Sequence, residues 1–135
     1  TRYHRFLLAV TAEGAWTPWI TYMLEGIEDS ALRASAKIRE IRAQMDRTGD
    51  LIRSSIPRVY STDLIDAIFQ QPYCRIQNLV DAGVYERRAA ARNLRALAEI
   101  GIFESEKVGR DHLYVNRAFL KTLLEDAPGT NYIDI

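Results

Sequence analysis

One cysteine and two histidines are all that the 135 residues offer toward thiol or imidazole chemistry. Cys74 alone cannot close an intramolecular disulfide, and with only His4 and His112 beside it no Cys/His zinc cage can be assembled. Net charge is lacking as well, the formal value being zero. Domains devoted to DNA usually carry a basic excess, so the balance counts against strong non-specific binding. No apolar run approaches the roughly 20 residues that cross a bilayer, which leaves no membrane partner to expect. The opening Thr1-Arg2-Tyr3-His4-Arg5 leads straight into an amphipathic pattern without a secretory signal, so the expected compartment is the reducing cytoplasm. An initiating Met and a cap before Tyr3 are both missing, and the sequence therefore reads as a piece of a longer chain.

What is present is helix. Phe6, Leu7 and Val10 share one face of a short first segment that Gly14 stops. Thr17 and Pro18 then suit the start of a second helix, the first as a cap and the second at a position where its missing N–H costs nothing. Ile20, Leu24, Ile27, Ala31, Ala34, Ile38, Ile41 and Met45 follow at alternating spacings of four and three, an unbroken heptad seam. A helix of about seven turns is expected there, its seam buried on other helices of the same protein or on a second copy in a homodimer. Gly49 and Ser54-Ser55-Ile56-Pro57 mark its end, because proline disfavours helix at the residue before it.

The middle of the chain changes character. Ser61 caps a helix with Leu64, Ile65, Ile68 and Phe69 on its buried face, and Gln71-Pro72-Tyr73 connects it to the next. Ile76 to Ala82 has the period of a half-buried helix and is broken by Gly83-Val84. Glu86 to Ile100 carries Ala90, Leu94 and Leu97 on one side and Arg88, Arg92 and Arg95 on the other, and Gly101 stops it. Ile102 to Glu106 alternates like a strand, Gly109 supplies a turn, and His112 to Val115 returns. Asn116 caps a last helix bearing Phe119, Leu120, Leu123 and Leu124. Helix, helix, tight turn, basic helix and hairpin make a winged helix-turn-helix, whose second helix is the groove-inserting element. The fold class expected is thus mainly α: a long helical arm over residues 1–55, a winged domain over 56–127 with one small hairpin, and a loose tail over 128–135. The expected core is Leu64, Ile68, Phe69, Ile76, Leu79, Val80, Leu94, Leu97, Ile102, Leu113 and Val115.

Between Ser61 and Glu125 acids and bases balance, and only their distribution is uneven. Glu86 is the sole acid between Tyr85 and Ala98, a stretch that holds Arg87, Arg88, Arg92 and Arg95. Arg88, Arg92 and Arg95 fall at i, i+4 and i+7, where arginine can read guanine or hold phosphate. The competing reading is a solvated face with Arg95 paired to Glu99. Arg87 sits nearer the core side. Lys107 and Arg110 flank Gly109 at the wing tip and could touch phosphate, although polar residues suit any hairpin tip and Asp111 weakens the field there. Cys74 reads as a small buried hydrophobe, Trp16 and Trp19 as packing between the first two helices, and Tyr73, Tyr85 and His112 as structural. Catalysis fails on supply: no nucleophile and base stand together, no Gly-rich loop follows a strand, and Asp63 with Asp66 lacks further ligands. No cofactor and no metal are expected, and the chain by itself reads as no enzyme.

Several short words, in order and at fixed spacing, look familiar. Leu7-Leu8-Ala9-Val10, Glu13-Gly14, Trp16-Thr17-Pro18-Trp19-Ile20 and Met23-Leu24-Glu25-Gly26-Ile27 resemble the C-terminal part of Fic-domain proteins, enzymes that transfer AMP from ATP to a hydroxyl side chain of a target protein. Gln71-Pro72-Tyr73, Ala89-Ala90, Leu94, Gly101-Ile102, Lys107-Val108-Gly109-Arg110 and Leu113-Tyr114-Val115-Asn116 are similar to the winged helix that follows the catalytic core in many bacterial members. The resemblance covers essentially the whole chain. The family's catalytic motif, His-Pro-Phe, two variable residues and Gly-Asn-Gly-Arg, does not occur in this sequence, nor does its inhibitory helix with a Gly-x-x-x-Asn pattern. No catalytic residue carries over, and the resemblance implies the piece downstream of the active site. Three functions stay open on this reading: a DNA-binding or regulatory winged helix on an adenylyltransferase, a dimerisation or protein-interaction module packed on the Fic core or a second copy, and a stand-alone transcriptional regulator.

Overall fold

The computed structural model describes residues 1–125. The expected tail over 128–135 lies outside the described residues. Among these the chain is mainly helical: α1 (Arg2–Glu13), α2 (Trp16–Ser55), a 3-10 turn (Pro57–Val59), α3 (Thr62–Ile68), β1 (Tyr73–Cys74), α4 (Ile76–Asp81), α5 (Arg87–Glu99), β2 (Glu104–Val108), β3 (Asp111–Val115) and α6 (Arg117–Leu124). Two compact units divide it, residues Thr1–Arg39 and Glu40–Glu125. No described helix is long and apolar enough to cross a membrane.

In the first unit α1 packs on the start of α2 through aromatic rings. Tyr3 meets Trp19 edge-on at 5.1 Å between centroids, and Phe6 lies 5.3 Å from Tyr22. The Arg2 guanidinium stands 5.5 Å from the Tyr22 ring, and Tyr22 is buried. Trp16, expected to join this packing, is instead exposed. So is the seam on the other side of α2. Ile20, Leu24, Ile27 and Ile38 keep 50 to 61% of their surface open, and Ala31 and Ala34 are exposed with them.

α2 is 40 residues long, several turns more than the seven expected. Gly49, one of the two expected stops, does not end the helix but sits buried within it. A Cβ there would stand 3.4 Å from the Tyr60 ring, so the missing side chain makes room for that ring rather than for a turn. The helix ends at Ser55, before Ile56-Pro57.

The second unit is built on one apolar cluster. Ile52, Leu64, Ile68, Leu79, Leu94 and Leu97 are its most completely buried side chains, joined by Val59, Phe69, Cys74, Phe103, Tyr114 and Phe119. Of the expected core, Ile76, Val80 and Ile102 are partly buried against the cluster and Leu113 is half-buried. Ile41 and Met45, the last seam residues, pack on the same cluster. Side-chain caps start α3 and α6: Ser61 Oγ accepts from Leu64 N at 3.0 Å, and Asn116 Oδ1 accepts from Phe119 N at 3.1 Å.

The sheet has three antiparallel strands in the order β1-β3-β2. Tyr73-Cys74, expected as the connector leading into α4, is a short strand paired with Val115 and Tyr114. It makes the hairpin an integral part of the domain, because the buried Cys74 and Tyr114 stand opposite each other in the register.

Candidate nucleic-acid interface

α4 and α5 form the helix-turn-helix pair. The Asn78 amide oxygen accepts from Arg75 N at 2.7 Å and so closes the start of α4. At its other end Gly83 takes φ +70, while Gly83 N and Val84 N reach back to Val80 O and Leu79 O at 3.0 and 3.1 Å. Those bonds satisfy carbonyls the helix end would otherwise orphan, and only glycine adopts this φ without strain. Glu86 then precedes α5, whose Ala90, Asn93, Leu94 and Leu97 are buried.

The opposite face of α5 carries Arg88, Arg92 and Arg95, all exposed. None of the three has an ion pair or hydrogen bond among the described residues, and Arg95 is not bonded to Glu99. Arg87 lies off this stripe, and its guanidinium donates to the Gln77 amide oxygen on α4. Small residues flank the arginines: Ala89, Ala91, Ala96 and Ala98 keep the sides of the helix narrow.

The wing is a tight hairpin. Val108 pairs with Asp111, leaving Gly109-Arg110 as a two-residue loop with Gly109 at φ +65. Lys107 and Arg110 are exposed there and carry no ion pair among the described residues. The carboxylates of the same strand are occupied. Arg117, at the first turn of α6, donates to Glu104 at 2.7 Å and to Glu106 at 2.5 Å, which raises its own pKa above the ordinary range, the Glu104 bond first. Beside the wing a cleft is lined by Arg75, Gln77, Arg87, Asp111 and His112, with His112 Nδ1 3.3 Å from Ser105 Oγ. No group of three or more acidic, His or Cys side chains among the described residues could hold a metal.

The second unit, with α2 feeding a helix-turn-helix and a three-stranded wing, can now be set beside known families. A model of the C-terminal domain of SoFic-like protein adenylyltransferases matches residues 44–119. This is more than half of the chain. The chain belongs to that family.

The SoFic-like match begins inside α2 and ends at Phe119, so it takes in the helix-turn-helix and the wing. Arg88, Arg92, Arg95, Lys107 and Arg110 all lie within it. The seam from Ile20 to Ile41 lies before it. The domain is therefore the C-terminal part of a Fic-like protein adenylyltransferase. One cation that periodicity did not single out stands next to α5: Arg58, in the turn Pro57–Val59, lines the same groove as Arg92. No motif marks it, since it belongs to a three-residue turn rather than to a helix face.

Proposed function

We propose that this domain gives its parent adenylyltransferase a regulatory contact with double-stranded DNA, α5 entering the major groove and the wing resting on the backbone. The observation that carries this is the stripe of Arg88, Arg92 and Arg95, outward-facing and without internal partners, on the second helix of a helix-turn-helix. Lys107 and Arg110 assist at the wing, where Arg117 pairs with Glu104 and Glu106 and offsets part of the acidic charge of β2. Catalysis belongs to a part of the parent protein that these residues do not include. Because the chain has no net charge, affinity rests on this local patch and stays modest in ordinary salt.

The test is a duplex titration at several salt concentrations. Binding should weaken as salt rises. Arg92→Ala should relax base preference by roughly 1–3 kcal/mol, while Lys107→Ala should weaken all sequences alike and lower the salt slope by about one. A native chain with no salt-dependent binding at low ionic strength would end this reading.

A second reading is favoured by the exposed seam. Six consecutive seam positions, Ile20, Leu24, Ile27, Ala31, Ala34 and Ile38, are open on one face of α2. An apolar stripe of that length is an interaction surface by its chemistry. On this reading the arm assembles the protein, on its own catalytic region or on a second copy in a homodimer, whether or not DNA is bound.

A further inference from the structure

The stripe on α5 has two flanks, and they differ. On the wing side the cleft is lined by Asp111 as well as by Arg75 and Arg87, so its charge is mixed. On the other side α5 faces the 3-10 turn Pro57–Val59 across a groove of about 710 Å³. Its wall residues include Pro57, Arg58, Tyr85, Ala89, Arg92 and Asn93, and no carboxylate lines it. Arg58 is exposed and has no ion pair or hydrogen bond among the described residues.

The turn that bears Arg58 is held in place. Pro57 fixes the first φ. Val59 N donates to Ile56 O at 2.9 Å and Tyr60 N donates to Pro57 O at 3.2 Å. Val59 is buried, and its carbonyl accepts from the Tyr85 hydroxyl at 2.7 Å. Tyr85 stands two residues before α5 begins, so one hydrogen bond ties the backbone next to Arg58 to the root of the helix that carries Arg92.

A helix lying in a major groove about 12 Å wide has a phosphodiester backbone on either side. We propose that the groove between the 3-10 turn and α5 takes the backbone on the side away from the wing, with Arg58 as its phosphate contact. This rests on the DNA reading above and adds to it a second, preorganised anchor and hence an orientation on the duplex. Charge complementarity chooses the occupant: a groove whose only charged wall residues are Arg58 and Arg92 suits a polyanion, and Ala89 and Ala96 leave the flank of α5 low enough for a sugar-phosphate chain to approach. The fixed turn means Arg58 spends little entropy on backbone ordering when it binds.

The experiment compares the native chain with Arg58→Ala, Arg58→Lys and Arg92→Ala on two duplexes of unrelated sequence, each titrated at several salt concentrations. Arg58→Ala is expected to lower the salt slope by about one on both duplexes equally and to leave their affinity ratio unchanged. Arg58→Lys should restore the slope, since a point charge serves for phosphate. Arg58→Ala with a native slope, while the native chain binds with salt dependence, overturns the Arg58 contact and leaves the DNA reading standing. A native chain that shows no salt-dependent binding overturns both. A native chain that instead binds an acidic peptide such as oligoglutamate, in an Arg58-dependent way, hands the groove to a protein partner and also overturns the proposal. Unaltered thermal unfolding of the variants shows that each reports on contact rather than on folding.

Discussion

The Tyr85 hydroxyl donates to the Val59 carbonyl at 2.7 Å across 26 residues of sequence. It joins the turn that follows α2 to the segment that launches α5, and burial pushes the phenol pKa above its ordinary value. Tyr85→Phe keeps the ring and strips the bond, leaving the Val59 carbonyl without that partner. The expected loss is about 1–3 kcal/mol in urea unfolding, with the slope of the transition unchanged. A variant as stable as the native chain would show that water replaces the hydroxyl at no cost.

Ile52 belongs to α2 by sequence and to the winged core by packing, with none of its surface exposed. Ile52→Ala should therefore cost about 2–5 kcal/mol in the unfolding of the second unit. Leu51→Ala, one residue away and exposed, should fall within about 0.5 kcal/mol of the native chain. Equal effects at the two positions would contradict the burial.

The seam predicts association. Ile27→Glu together with Ile38→Glu removes two exposed apolar side chains and should lower the mass of the chain in solution without shifting its unfolding. Ile41 is a poor choice for the same test, since it packs on the winged cluster and its loss would mix folding with assembly. Sedimentation over a range of concentrations makes the measurement. A native chain that stays monomeric throughout would leave the catalytic region of the parent protein as the surface's partner.

Alkaline pH should loosen the fold through Cys74. Burial lifts its pKa from 9.0 to about 11. The folded state thus holds the thiol proton more tightly than the unfolded chain, and the associated stability is complete below pH 9 and declines as pH rises toward 11. The decline amounts to roughly 2 to 3 kcal/mol. Tyr85, raised in the same direction, adds to it at still higher pH. Cys74→Ala should flatten the fall between pH 9 and 11, and urea midpoints at those two values would measure it.

The arginine stripe was legible because a helical period is a local property: i, i+4 and i+7 share a face whatever the helix packs on. Ser61, Asn116 and Gly109 were legible for the same reason, each acting within three residues of itself. Tyr73-Cys74 was not. A strand of two residues has no period, and its partners Val115 and Tyr114 lie some forty positions away. Gly49 misled because glycine ends helices as readily as it admits a neighbouring ring, and only Tyr60 in place distinguishes the two. The seam revealed an apolar face without revealing what covers it. Its C-terminal end meets the winged core and the rest stays open, a division that spacing alone cannot express. Arg58 was invisible for a further reason: a cation in a short turn acquires meaning only from the helix folded beside it.

Cys74, the single thiol, sits 2% exposed beneath the β1–β3 pairing. A reagent that alkylates thiolates has no access to it while that pairing is closed. The chain therefore carries its own stopwatch. The rate at which Cys74 becomes labelled counts how often the short strand lifts away from the wing, and a ligand that grips the wing would slow the count without touching the sulfur.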